Sequence, residues 1–151
     1  QQPHPPIWIS GRSQAAMRRC ARFGTGWLPY MYTPEKLSES LAAIAAMGQE
    51  CERSVPVKQG LFIFFAVHED RDVAIKMAAE RLSRQYNQDF SQLVHRYAIA
   101  GNPQDCRARL REYIDAGAAT IILNSACPGH YTETNEAIMA DQVVTVLKTG
   151  S

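Results

Sequence analysis

The chain has 151 residues, a length that suits one domain, and 46% of them are apolar, enough for a hydrophobic core. The net charge is +1, which argues against a general nucleic-acid binder. No apolar run is long enough to cross a membrane and no secretory signal opens the chain, so the expectation is a cytoplasmic protein without membrane contact.

The stretch Pro5-Pro6-Ile7-Trp8-Ile9-Ser10-Gly11-Arg12-Ser13 reads as a strand running into a helix through a very short turn. The two prolines prevent an earlier helix start, Ile7 to Ile9 favour a strand, and Gly11 permits a sharp turn or close approach to a ligand. Ser13 is a good N-cap. Free backbone N–H groups, a hydroxyl and Arg12 then gather at a helix N-terminus, where the macrodipole favours an anion. Residues 1 to 34 hold Arg12, Arg18, Arg19 and Arg22 and no acid, so this region is locally positive. Gly11, Arg12 and Ser13 therefore read as a phosphate cradle, against the plainer reading of a turn with a capping serine. Arg18, Arg19 and Arg22 read as a solvated helix face.

The next helix is expected over Gln14 to Phe23, ended by Gly24 in the left-handed conformation. A strand follows from Gly26, leaving through Leu28, Pro29 and Tyr30. Thr33-Pro34-Glu35 starts a second helix, with Leu37, Leu41, Ile44 and Ala45 at helical spacing and Gly48 as its end. Residues 49 to 56 read as a loop. Leu61 to Val67 is the most apolar run and suits a strand buried on both faces, with Phe62, Phe64 and Phe65 as core. Asp70 can cap a third helix, to about Gln85, with Val73, Met77, Ala78 and Leu82 on one face. A further helical stretch is expected around Phe90, Leu93, Val94 and Tyr97.

Asn102-Pro103-Gln104-Asp105 starts another helix, which buries Cys106, Leu110 and Ile114 and stops at Gly117. Ala119 to Asn124 is the fourth expected strand. A Pro-Gly loop with His130 and Tyr131 precedes a last helix, from about Asn135 to Lys148, with Ala137, Ala140, Val144 and Leu147 at helical spacing. Alternation of strands and helices argues for a parallel sheet with helical crossovers. Four βα units make either an open α/β sheet or half of an eightfold barrel.

Cys20, Cys51, Cys106 and Cys127 are scattered without ligand spacing to the four histidines, so reduced thiols and no metal site are expected. Tyr30, His68, Asn124 and His130 stand near expected strand ends and read as loop or capping residues before catalytic ones. His4 and His95 suggest no role.

The Pro-Pro-Ile-Trp-Ile-Ser-Gly-Arg-Ser segment, then Ala-Arg-Phe-Gly-Thr-Gly-Trp-Leu-Pro, then Thr-Pro-Glu-Lys-Leu resembles the second half of luciferase-like flavin-dependent monooxygenases. That superfamily includes coenzyme F420-dependent reductases and dehydrogenases. Gly101-Asn102-Pro103 through Asp115 to Ala118, running into Ile121 to Asn124, is similar to its last barrel segment. The resemblance implies a half-barrel domain over residues 1–151: the C-terminal (βα)4 half of a TIM (β/α)8 barrel with parallel strands.

The resemblance also implies that Gly11, Arg12 and Ser13 hold the phosphate of FMN or F420. It implies an oxidoreductase or monooxygenase acting on a small organic substrate. The family's first-half contacts have no counterpart here, so a complete active site is not expected in this chain alone. The other reading is a non-catalytic half-barrel that assembles through its open edges. Those edges, the strand with Trp8 and the strand with Ile122, predict a homodimer, helped by an apolar inner face from Leu61 to Val67 left exposed.

Overall fold

The computed structural model describes residues 2–52 and 57–149. Among the described residues five strands are found where four are expected. They are β1 (Trp8–Ile9), β2 (Gly26–Trp27), β3 (Lys58–Val67), β4 (Ala98–Gly101) and β5 (Thr120–Ser125). The helices are α1 (Gln14–Phe23), α2 (Pro34–Glu50), α3 (Arg71–Tyr86), α4 (Val94–Tyr97), α5 (Pro103–Asp115), α6 (Thr132–Ile138) and α7 (Thr145–Thr149). The chain divides into two compact units: residues 1–62 with 113–122, and residues 63–112 with 123–151.

In the first unit, β1, β2 and the start of β3 pair in parallel, with Trp8 opposite Gly26 and Trp27 opposite Gln59. Helices start where local chemistry dictates. The Thr33 hydroxyl accepts the Lys36 N–H at 3.3 Å, and Pro34 supplies the fixed φ of the first turn. Buried Trp27 meets Tyr32 edge-on at 5.4 Å, and the Tyr113 hydroxyl donates to the Tyr32 carbonyl at 2.7 Å. Two helix ends depart from expectation. Gly24 ends α1 in an extended conformation, φ −80° and ψ 140°, because the chain goes straight into β2. Gly48 lies buried inside α2, which runs on to Glu50. Of the loop expected over 49 to 56, residues 53–56 lie outside the described residues.

In the second unit, β4 pairs in parallel with β3, from Phe64 opposite Ala98 to Val67 opposite Gly101. This is the strand missed in the sequence. The helical stretch read around Phe90 to Tyr97 shrinks to the single turn of α4. Asp70 caps α3, its carboxylate accepting the Asp72 N–H at 2.9 Å, and Asn87 closes the helix at φ 49°. Asn102 and Asp105 bond each other's backbone N–H groups at the start of α5, at 2.9 and 3.3 Å.

Three buried faces differ from the reading: on α3, Val73 is 38% exposed and Ala74 is buried in its place. Ile114 is exposed while Tyr113 is buried, and the last helical segment begins at Thr132 and buries Asn135, Met139 and Val143 rather than Ala137 and Ala140. The expected exposed apolar face on β3 is also corrected. Leu61, Ile63, Phe64, Phe65, Ala66 and Val67 are each at most 3% exposed, so β3 is core on both faces from Ile63 to Val67, while Phe62 is half-buried and Lys58 and Gln59 are exposed. Exposed apolar side chains include Ile7, Trp8 and Ile122, but are spread over the surface, with Phe23 the most exposed at 61%.

Candidate functional site

The turn through Gly11, Arg12 and Ser13 follows the carboxyl end of β1. Backbone bonds from Thr25 N–H to the Ile7 carbonyl (2.7 Å) and from Leu28 N–H to the Ile9 carbonyl (2.9 Å) hold β1 against β2. The chain then turns through Gly11 at φ 118°, where an added Cβ would fall 2.9 Å from the Ala16 Cβ. Only glycine lets the turn lie this close to the first turn of α1.

Ser13 is the N-cap, and its hydroxyl oxygen accepts the Ala16 N–H at 3.2 Å. The N–H groups of Gln14 and Ala15 have no acceptor within the helix, by the geometry of any helix start. The first turn carries no acid, and Arg12, Ser13, Gln14 and Ala15 are exposed. The Arg12 guanidinium lies 5.9 Å from the centre of the Tyr30 ring, within cation–π range. Tyr30 itself is fixed by a parallel bridge to Phe62, and Met31 after it takes the left-handed conformation at φ 54°. Gly11, Arg12, Ser13 and Tyr30 thus sit at the carboxyl ends of adjacent strands within the first unit. Arg18, Arg19 and Arg22 are exposed on α1, as a solvated face requires.

In the second unit the residues at strand ends are His68, after β3, and Asn124, in β5. His68 is half-buried and its Nδ1 accepts the Asp70 N–H at 3.0 Å. Asn124 and His130 are exposed. The sequence reading missed the polar network beside them. Asn135 is fully buried; its Oδ1 accepts the Val67 N–H at 2.7 Å and its amide donates to the Ser125 hydroxyl at 2.7 Å. Ser125 Oγ is 3.2 Å from Cys127 Sγ, and the Tyr131 hydroxyl donates to the Val67 carbonyl at 3.2 Å. A signal for Asn135 does exist in the sequence: it stands four residues before Met139 and eight before Val143, an amide inside an apolar stripe.

Among the described residues no helix is long and apolar enough to cross a membrane. Among the described residues the four cysteines form no disulfide.

The fold resembles that of several solved enzymes. The coenzyme F420-dependent tetrahydromethanopterin reductase of Methanopyrus kandleri is 14% identical with a TM-score of 0.74, over 94% of this chain and 51% of that one. A monooxygenase of Streptomyces bottropensis is 20% identical with a TM-score of 0.75, over 96% and 49%. EDTA monooxygenase from Chelativorans sp. BNC1 is 17% identical with a TM-score of 0.72, over 97% and 45%. The chain therefore spans about half the length of each of these enzymes, as half of a barrel would. The model of the luciferase-like monooxygenase family matches residues 1–120, and the chain belongs to that family.

Proposed function

We propose that this chain is the phosphate-holding half of a luciferase-like oxidoreductase that uses FMN or coenzyme F420 on a small organic substrate. The observation that carries the reading is the turn at Gly11. Its left-handed backbone packs against Ala16 and leads directly into the Ser13 cap, with Arg12 beside it and no acid in the first turn of α1.

A phosphate fits these residues. The N–H groups of Gln14 and Ala15 and the Ser13 O–H can donate to its oxygens, and the N-terminal dipole and Arg12 offset its charge. The bound flavin or deazaflavin supplies the redox chemistry. This chain's own part would be to hold the phosphate end of the cofactor through Gln14, Ala15, Ser13 and Arg12. The exposed Arg12 guanidinium lies 5.9 Å from the centre of the Tyr30 ring.

Titration with FMN and with riboflavin, which lacks the phosphate, tests the reading. FMN should bind about tenfold tighter or more. Equal affinity for the two, with no binding of F420, would contradict it.

A second reading, an assembly in which two copies associate as a homodimer, is favoured by Ile7, Trp8 and Ile122, which are 39 to 44% exposed in the first unit. Light scattering at micromolar concentration should then give twice the chain mass, also at high salt, because screening weakens ion pairs more than apolar contact. A stable monomer would remove this reading.

A further inference from the structure

β4 pairs one edge of β3 as far as Val67, and the His68 N–H donates to the Gly101 carbonyl at 3.2 Å; the other edge is finished by side chains. The Ala126 N–H donates to the Phe65 carbonyl at 2.7 Å. Two residues further along β3, Val67 has its N–H taken by Asn135 Oδ1 and its carbonyl by the Tyr131 hydroxyl. Buried Asn135 is itself held from its other end by Ser125, so its amide has one orientation. The corner from which His68 leaves the strand is therefore fixed at both backbone groups of the preceding residue.

His68 is fixed in turn. Its Nδ1 accepts the Asp70 N–H, so that nitrogen holds a lone pair and the neutral ring carries its proton on Nε2. The half-buried ring stands 5.7 Å from the Tyr131 ring. The Tyr131 hydroxyl is spent on Val67, which leaves the Nε2–H of His68 as a donor beside an aromatic surface.

The charged groups around this corner are the acids Glu69 and Asp70 and the cation Arg71, which is paired with Asp105 at 3.6 Å. Glu69 is exposed, and burial, then Cys127 and Glu69, push the Tyr131 phenol above its ordinary range. The Asp70 carboxylate is engaged by the first N–H groups of α3. A carboxylate or sulfonate would meet repulsion from Glu69, whereas a neutral oxygen would not.

We propose that His68 determines specificity by donating its Nε2–H to an uncharged acceptor oxygen, such as a ketone carbonyl, of the organic substrate, with Tyr131 and Asn135 as positioning residues. This rests on the reading above that the chain serves an oxidoreductase, whose ligands in this fold class lie at the carboxyl ends of the strands. It does not depend on which cofactor is used.

The test is nitrogen NMR on the chain labelled in its histidines, with His4, His95 and His130 as internal controls. His68 should show the Nε2–H tautomer. Adding 2-butanone should shift its Nε2 saturably and leave the other three rings unmoved, while propionate should act about tenfold more weakly or less. Ketone-induced shifts of the Tyr131 ring should persist in His68→Gln, which keeps a donor, and vanish in His68→Phe. An Nδ1–H tautomer, no selective ketone shift, or a preference for propionate would overturn the proposal. FMN and F420 titrated into the same sample separate the two readings: their failure to bind counts against the cofactor, not against the His68 donor.

Discussion

Asn135 Oδ1 accepts the backbone N–H of Val67 at 2.7 Å, 68 residues away in sequence and fully buried. The Val67 carbonyl beside it is taken by the Tyr131 hydroxyl at 3.2 Å. Asn135→Ala would leave the Val67 N–H without its acceptor in the core. The expected cost is about 1–3 kcal/mol, read as a lower urea midpoint with an unchanged slope. The Val67 amide should also exchange with solvent faster than its neighbours Phe65 and Ala66. Unchanged stability would mean that water reaches this corner.

Gly26 and Gly60 exist to receive the Trp8 indole. A Cβ at Gly26 would lie inside the van der Waals surface of that ring, and one at Gly60 would lie 2.8 Å from it. Gly26→Ala must therefore push Trp8 off the sheet, at about 1–3 kcal/mol. Combining it with Trp8→Ala should cost less than the sum of the two single changes, since the clash is gone. Simple additivity in urea denaturation would show that the ring already moves freely.

Cys106 gives the pH prediction. Burial, and secondarily Asp105, push its thiol up to about 12, against a small opposing effect of Arg107. The unfolded thiol ionises near 9, so between about 9 and 12 the folded state holds the proton that the unfolded state releases. Its contribution to stability is complete below pH 9 and is lost as pH rises through that window. Cys106→Val should flatten this part of the decline. A thiol reagent at neutral pH should modify exposed Cys51 and spare Cys106 until the chain unfolds. Labelling of Cys106 in the folded chain would contradict the shift.

Much of the architecture was legible because its signals are local. Ser13, Thr33-Pro34, Asp70 and Asn102-Pro103 each mark a helix start through bonds made within three residues, and all four starts are found. The β3 run from Leu61 was legible because an apolar stretch of that length has to be buried. The strand β4 was not, because Ala98-Ile99-Ala100-Gly101 has little strand preference of its own and becomes a strand by pairing with Phe64 to Val67. The last helical segment was misread for a related reason. Ala137 and Ala140 were counted as apolar, yet the buried side is set by Asn135, whose partners lie far off in the chain. The turn at Gly11 and the Ser13 cap were legible, but the Tyr30 ring under Arg12 was not, since that meeting depends on the pairing of β1 with β2.

The measurement that bears most directly on the phosphate cradle separates the two roles of Ser13. Ser13→Asp keeps an equally good N-cap but sets a carboxylate where the phosphate should lie, whereas Ser13→Ala removes the cap. Urea denaturation should place Ser13→Asp within about 0.5 kcal/mol of the parent chain and Ser13→Ala about 1 kcal/mol below it. FMN titration of the same proteins should show the stable Ser13→Asp chain binding about tenfold or more weaker than the parent. An Asp variant that binds FMN and F420 as the parent does would contradict the cradle and leave Ser13 as a helix cap alone.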